Sequence, residues 1–460
     1  MAQSGNDASR TNGRGVHVAI EISELDRTMA ASIKDKLDTV SPSPYGKRCC
    51  IYKVHEKFRK INEYAYTPEM ISIGPLHRNT CPSEMQDHKM RYVKNLVART
   101  RLNLVECLAA IRSIEDDVRK CYSEHMNDLD KKAFVELMVV DGLFVIELFC
   151  KSAGDVKVDR DDPIFNNIWG MASLVRDMIL LENQIPMLVL ARLFDLVTRS
   201  QSQNQNQDQS QSQNQNQNQK NRTLAELALR FFNPLMERKE DVLEAHFNKT
   251  GKHLLDLFGK TFHDFGQNKQ SKSNQKLKHI PCVTELRLAG VKFRRNDDAK
   301  SFLDIRFCDG EMLIPPILVQ DQTDSLFRNL IASEQACDGR NTYMTSYAFL
   351  MDSLINSPND VEVLRSQRII TNYMGDDKDV AFVFNKLCSE VTLVNFYYHD
   401  LCDEVNKHAS THRHRWIATL RRDYFNSPWA VIAFISACIL LILTFTSTIF
   451  ASLSYIVHKS

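Results

Sequence analysis

Val135-Glu-Leu-Met-Val-Val-Asp-Gly-Leu-Phe-Val-Ile-Glu-Leu-Phe149 is apolar nearly all the way round a helical wheel. A helix of that kind has no face to give to water, so it lies in an interior with protein on every side. This stretch makes the chain a mainly α protein, and its neighbours are read relative to it. Asp141-Gly142 is out of character within it, and Glu136, Asp141 and Glu147 place three carboxylates on one apolar helix. A buried carboxylate needs a partner, and Arg91 and Arg176 are the basic side chains considered for that role.

Upstream, Ser83-Glu-Met-Gln86 reads as a capping box opening one long helix that extends towards Tyr122. Val93, Leu96, Val97, Leu104, Val105, Leu108 and Ile111 keep a three-to-four spacing along it, which predicts a single buried face. Downstream, a helix over 168–183 runs into Gln184-Ile185-Pro186, where proline breaks it and a new helix begins at 187. The run 201–219, with Gln at every odd position, is expected as a solvated loop between helical flanks ending at 197 and restarting at 223. After Lys278 the character changes. Val291 and Phe293, then Leu303, Ile305 and Phe307, then 312–314 predict short strands, with Asp309-Gly310 as a two-residue turn. Further helices are expected at 323–337, 345–356, 358–367, 377–391 and 395–425, with Ser357-Pro358 as a cap and first-turn pair. The expected class is therefore mainly α (α+β). A flexible leader or weak helix occupies 1–45, a helical body 46–425, and a small antiparallel β-meander about 283–318 within the body.

The chain has 460 residues and a net charge of +1, which excludes a global electrostatic case for nucleic acid. Its N-terminus has no apolar run of the signal-peptide kind. Twelve cysteines occur without a Cys-x-x-Cys pair, so free thiols are expected rather than a zinc site or a disulfide framework. Dinucleotide and P-loop glycine patterns, His-Glu-x-x-His and Gly-x-Ser-x-Gly are all missing. No catalytic, cofactor or metal residues are assigned.

From Trp429 to Val457 there are 29 consecutive residues without a charge. As a helix they span roughly 43 Å, against a hydrocarbon core of about 30 Å, so a tilted transmembrane helix is expected. Ser427-Pro428 would start it, and Trp429 and Tyr455 stand where an aromatic belt would place them. Lys407, Arg413, Arg415, Arg421 and Arg422 precede it, whereas only Lys459 follows. The positive-inside rule then puts the body in the cytosol, with a single-pass C-terminal anchor and the plasma membrane as the expected site. Two glycosylation sequons, at Asn221 and Asn248, point weakly the other way. Expected partners are the lipid bilayer and a protein. Homo-oligomerisation through the Ser/Thr-rich helix is left open, without a Gly-x-x-x-Gly pattern to support it.

Three polar clusters stand in apolar surroundings. Glu182-Asn183-Gln184 is read as capping the helix ends around Pro186, Asp141 as one half of a structural pair, and His77 as bonded to its own Gly74-Pro75 turn. The alternative is an enzyme with an unrecognised active site near Glu182, Asp141 and His77.

The segments 66–77 (YTPEMISIGPLH), 88–91 (HKMR), 140–142 (VDG), 180–186 (LLENQIP), 284–293 (TELRLAGVKF), 314–316 (IPP) and 327–335 (FRNLIASEQ) occur here in this order. Together with Ile51-Tyr-Lys-Val54 and Thr345-Ser-Tyr347, they resemble the plant family known as domain of unknown function 247. His55 departs from the proline that many relatives carry. The resemblance implies a single membrane helix near the C-terminus and no established enzymatic activity. Some grass members are implicated in pollen self-incompatibility. It therefore implies a non-enzymatic recognition or signalling role and carries over no catalytic residue.

Overall fold

The computed structural model describes residues 23–39, 49–80, 82–126, 128–208, 222–263, 276–336, 342–410 and 428–459. It divides into two compact units, Met1–Lys47 and Arg48–Ser460. The described part of the first is one helix, α1 (Glu24–Thr39). Ser23 and Asp26 cap its start reciprocally, Ser23 N donating to Asp26 Oδ2 at 2.8 Å and Asp26 N to Ser23 Oγ at 3.2 Å.

In the second unit α2 (Ser83–Thr100) is followed by α3 (Leu104–Arg112) and then by α4 (Lys131–Ser152), which contains the apolar stretch. Every residue from Leu143 to Cys150 is buried. Helix α4 is flanked by α2 and by α6 (Met187–Asp208), with α5 (Ile168–Asp177) between α4 and α6 in the chain. Gly142 marks the close approach of α4 to α6, since a Cβ there would lie 2.5 Å from Leu193 Cδ1. That accounts for the glycine in a helix otherwise made of bulky side chains.

The single long helix expected over 83–122 is broken into α2, α3 and a short turn, Glu115–Arg119. Arg101 takes a left-handed conformation, φ 53°, and ends α2. Ser83 is the first helical residue rather than the cap, and Pro82 precedes it without a side-chain cap bond. Because the break resets the helical phase, the expected stripe splits. Val93, Leu96 and Ile111 are buried, whereas Leu104, Val105 and Leu108 are 40%, 73% and 40% exposed. Tyr122 is not helical; it forms an isolated parallel bridge with Ile51.

Helix α5 ends at Asp177, six residues before the expected 183, and α6 starts at Met187, immediately after Pro186 as expected. Helix α6 continues into the Gln/Asn run as far as Asp208, because glutamine is a good helix former and nothing before 208 is a helix breaker. Residues 209–221 lie outside the described residues.

The β part is smaller and differently wired than the sequence suggests. Strands β1 (Lys292–Arg295), β2 (Arg306–Cys308) and β3 (Glu311–Ile314) form a sheet in the order β1-β3-β2. Strands β2 and β3 are the expected hairpin, with Asp309 and Gly310 at φ 50° and 77° in the turn. However, β1 pairs with β3 in parallel, Lys292 opposite Glu311, so the sheet is mixed rather than an antiparallel meander. The connection explains this. Phe302, Leu303 and Ile305 are buried, and Tyr398 Oη donates to the Leu303 carbonyl at 2.6 Å. Those apolar residues thus anchor a loop instead of a strand. A second, two-stranded parallel sheet pairs β4 (Ile317–Val319) with β5 (Ile370–Asn372).

Helices α7 (Leu224–Phe232), α8 (Leu254–Lys260) and α9 (Val283–Leu288) precede the sheets. After them come α10 (Asp321–Ala336), α11 (Tyr343–Leu354), α12 (Pro358–Ser366), α13 (Asp377–Leu387) and α14 (His399–Ser410). The Ser357 cap of α12 forms as expected, completed by Asp360 as a capping box. A run of aromatic rings joins the two halves of the body. Phe149, Phe232, Phe258, Phe262, Phe302 and Tyr347 follow one another with centroids 6.2, 5.8, 5.1, 4.8 and 5.0 Å apart. The class is thus mainly α with a minor β component.

The last helix, α15 (Pro428–Lys459), contains the apolar window Ile432–Ile449 with mean hydropathy 2.3 and none of it buried in protein. It is long and apolar enough to cross a membrane. Ser436, Thr444, Thr446 and Thr448 each donate to the carbonyl four residues back, at 2.7–3.0 Å, which satisfies their hydroxyls without water.

Candidate functional site

Glu182, Asn183 and Gln184 lie in the irregular segment between α5 and α6, and all three are buried. This segment has left the helix without joining a sheet, so its polar backbone must be satisfied by side chains. Asn183 Oδ1 accepts from Ile73 N at 2.6 Å, and its Nδ2 donates to the Ile71 and Asp177 carbonyls, both at 2.9 Å. Gln184 Nε2 donates to the Met178 and Leu180 carbonyls, and its Oε1 accepts from Leu255 N. Those carbonyls belong to the irregular chain just beyond the end of α5, which no helix or sheet satisfies. Glu182 accepts from Val54 N at 2.6 Å and faces Arg59 at 2.6 Å and His77 Nε2 at 3.0 Å. Burial acts to raise its carboxyl, but His77, Arg59 and the Val54 N–H outweigh burial and hold it below the usual carboxylate range.

The segment 71–77 runs beside this one and is pinned from the other side. Asp141 Oδ2 accepts from Gly74 N at 2.8 Å, and Oδ1 pairs with Lys89 Nζ at 2.6 Å, both side chains being 1% exposed. Lys89 also donates to the Ser72 carbonyl. The partner of Asp141 is therefore Lys89, not Arg91, which is exposed, or Arg176, which pairs with Asp177 at 2.7 Å. Glu147 pairs with Arg99 at 2.6 Å, and Glu136 is exposed. Gly74 has φ +77° and sits so close to the Gln184 carbonyl that a Cβ would come within 2.6 Å of it. His77 Nε2 faces Glu182 Oε2 at 3.0 Å rather than its own turn, whose Gly74 N–H is taken by Asp141 and whose Pro75 carbonyl is taken by Arg78.

Three further residues complete the assembly and were not singled out from sequence. Asp177 accepts from the backbone N–H of Glu69, Met70 and Ile71 at 3.0, 2.7 and 3.0 Å. Asn329 on α10 accepts from Leu181 N and donates to the Ala65 carbonyl, tying the C-terminal half to the same knot. Lys89 was legible in retrospect, since Met85, Lys89, Tyr92 and Leu96 share one helical face and all are buried.

Chemically, this is a clamp. Glu182, Asn183, Gln184, Asp141 and His77 are brought together beneath the surface, the first four holding backbone groups and His77 facing Glu182. Among the described residues no group of three or more His, Cys, Asp or Glu is arranged to hold a metal. The ten described cysteines are free thiols. Arg413, Arg415, Arg421 and Arg422 lie outside the described residues, as does the side chain of Trp429.

A half-buried carboxylate elsewhere in the body gives a pH-dependent expectation. Glu334 accepts from Met344 N, Thr345 N and Thr345 Oγ1 at 2.7, 2.8 and 2.7 Å, and burial pushes it up to about 7 in spite of them. A folded-state value above the unfolded one means the native state holds the proton longer. This group's contribution to stability is therefore lost as pH rises from roughly 4.3 to about 7. His253, lowered to about 4 by burial, slopes the opposite way below about pH 6.5, so a difference measurement is needed. The stability of the wild type relative to Glu334→Gln should fall between about pH 4.3 and about pH 7 in urea titrations. A flat difference would contradict this assignment.

These features define a class: a mainly helical body knotted by buried polar side chains, with a C-terminal helix long and apolar enough to span a membrane. A family profile described as plant protein of unknown function, DUF247, matches residues 51–443, and the chain belongs to that family. It is 29% identical to the UPF0481 protein At3g47200 of Arabidopsis thaliana over 439 residues, covering 89% of this chain and 88% of that one. It is 22% identical to the putative UPF0481 protein At3g02645 of the same plant over 477 residues, covering 82% and 85%. No solved structure matches.

Proposed function

We propose that this protein is a non-enzymatic recognition or signalling component held on a membrane, the plasma membrane, with its body in the cytosol. The observation that carries the reading is the window Ile432–Ile449, eighteen uncharged residues of mean hydropathy 2.3 with no protein covering them. Lipid is the solvent that suits such a helix. The orientation draws on the basic residues before it, from Lys407 to Arg422. A non-enzymatic role is supported by the engagement of Glu182 and Asp141 on the backbone N–H groups of Val54 and Gly74, with His77 facing Glu182. A protein partner is supported by Leu104, Val105, Ile168 and Trp169, large apolar side chains that stand exposed on α3 and α5.

The test is membrane fractionation of the full-length chain and of Leu441→Arg, a charge placed within the apolar window. Arginine at a helix centre costs about 2.5–3.5 kcal/mol on insertion scales. Wild type should pellet with membranes and resist alkaline carbonate, and the variant should shift measurably to the supernatant. Wild type in the supernatant would end the reading. Proximity labelling then addresses the partner: a reproducible neighbour lost on Trp169→Ala favours recognition, and small-molecule turnover by the purified protein favours an enzyme.

A further inference from the structure

Buried cations in the body are matched by carboxylates: Lys89 with Asp141, Lys151 with Asp162, Arg176 with Asp177, and Arg328 with Asp324. Arg238 departs from that pattern. Its guanidinium lies over the rings of Phe258 and Phe262, 5.3 and 5.2 Å from their centroids, and Nη1 donates to Thr261 Oγ1 at 2.5 Å. Its Nε and Nη2 are shielded from water and have no acceptor among the described residues. Burial lowers the group to about 10, which still leaves it charged near neutral pH. A buried charged donor without an acceptor is costly to the fold, and a protein gains by supplying one. Nε–H and Nη2–H form the side-on edge of the guanidinium, two parallel donors spaced for two oxygens of one oxyanion.

Arg238 lines a cavity of about 540 Å³, within the size range of small-molecule sites. Lys239, Arg295 and Lys300 line the same cavity, against the two carboxylates Glu237 and Asp297, leaving a surplus of two positive charges. Asp297 is engaged by Arg295 at 2.6 Å, and Lys239 by the neutral Asp297 carbonyl at 3.0 Å, so neither contact neutralises Arg238 or Lys300. The remaining wall includes Phe302, Pro315 and Pro316, which suits the carbon skeleton of an organic anion.

We propose that this cavity binds a small organic phosphate monoester, with Arg238 gripping two phosphate oxygens through its Nε–Nη2 edge. Because that edge is shielded where the guanidinium lies over the two rings, binding requires the side chain to turn about its terminal torsions towards the cavity. The dianionic phosphate matches the surplus of two charges, and Lys300 at the exposed rim adds long-range attraction. This site stands independently of the membrane reading.

Calorimetric titration of the full-length protein in detergent micelles tests it, with glycerol 3-phosphate, inorganic phosphate, short-chain phosphatidic acid and succinate as probes. Glycerol 3-phosphate or short-chain phosphatidic acid should bind, and whichever binds tighter identifies a soluble or a lipid source. Arg238→Gln should weaken that binding about tenfold or more, and Arg238→Lys, which keeps charge without the fork, by less. Lys300→Gln, an exposed change that leaves folding intact, should weaken it a few-fold and reduce its salt dependence. No binding of any phosphate probe by the wild type would overturn the proposal. So would wild-type affinity in both Arg238→Gln and Lys300→Gln, or tighter binding of succinate than of the phosphates.

Discussion

Asp141→Ala should destabilise the body by about 3–5 kcal/mol, because it strands the Lys89 ammonium in an interior where that side chain is 1% exposed. The loss is not the value of the ion pair itself. It is the cost of a buried charge without a counter-charge, added to the loss of the Gly74 N–H acceptor that shapes the 71–77 turn. The double variant Lys89→Met/Asp141→Leu removes both charges and should recover much of the deficit, since replacing a buried pair by apolar side chains is often near neutral. Urea unfolding midpoints compare the three proteins. A single variant within about 1 kcal/mol of wild type would show that water or another acceptor reaches Lys89, and the clamp would lose its central pair.

Asn183→Ala is expected to cost about 3 kcal/mol or more, through a different mechanism. Alanine deletes one acceptor and one amide that serves two carbonyls, leaving Ile73 N–H and the Ile71 carbonyl unsatisfied and the Asp177 carbonyl with only the Leu180 N–H at 3.3 Å. Each buried unsatisfied group costs roughly 1–3 kcal/mol, less where the backbone relaxes. The damage should be local first. Amide hydrogen exchange ought to accelerate at 71–73 and 178–184 before the rest of the body loses protection. Uniform exchange across the body, or a loss below about 1 kcal/mol, would mean that these carbonyls find other donors.

Both predictions rest on side chains that were conspicuous in the sequence but whose roles were only half legible there. Asp141, Asn183 and Gln184 stand out because they interrupt apolar runs, and a polar residue in such a run must be satisfied somewhere. Where it is satisfied depends on which distant segment folds against it. Lys89 is 52 residues from Asp141, and Ile73 is 110 residues from Asn183. Arg91 and Arg176 were reasonable partners by charge alone, and only the helical phase that Lys89 shares with Met85, Tyr92 and Leu96 sets it apart from Arg91. The break at Arg101 is similar: its left-handed conformation carries no glycine or proline to announce it. The parallel placement of β1 is likewise a property of how the buried 302–305 loop packs. Strands β4 and β5 are three residues each, too short for periodicity to register. Arg238 is one arginine among many until Phe258, Phe262 and the cavity wall surround it.

Local patterns by themselves determined the interior helix around residues 135–149, the Asp309-Gly310 hairpin, the helix start after Pro186 and the apolar helix near the C-terminus. In each the deciding physics acts within a turn or two of the chain: apolar periodicity, the fixed φ of proline, or the left-handed tolerance of glycine. Tertiary structure alone decided which carboxylate meets which cation, which carbonyl each buried amide serves, and where a cationic cavity opens. Those outcomes depend on desolvation and hydrogen-bond completion between segments far apart in the chain, and neither exists until the segments are packed together.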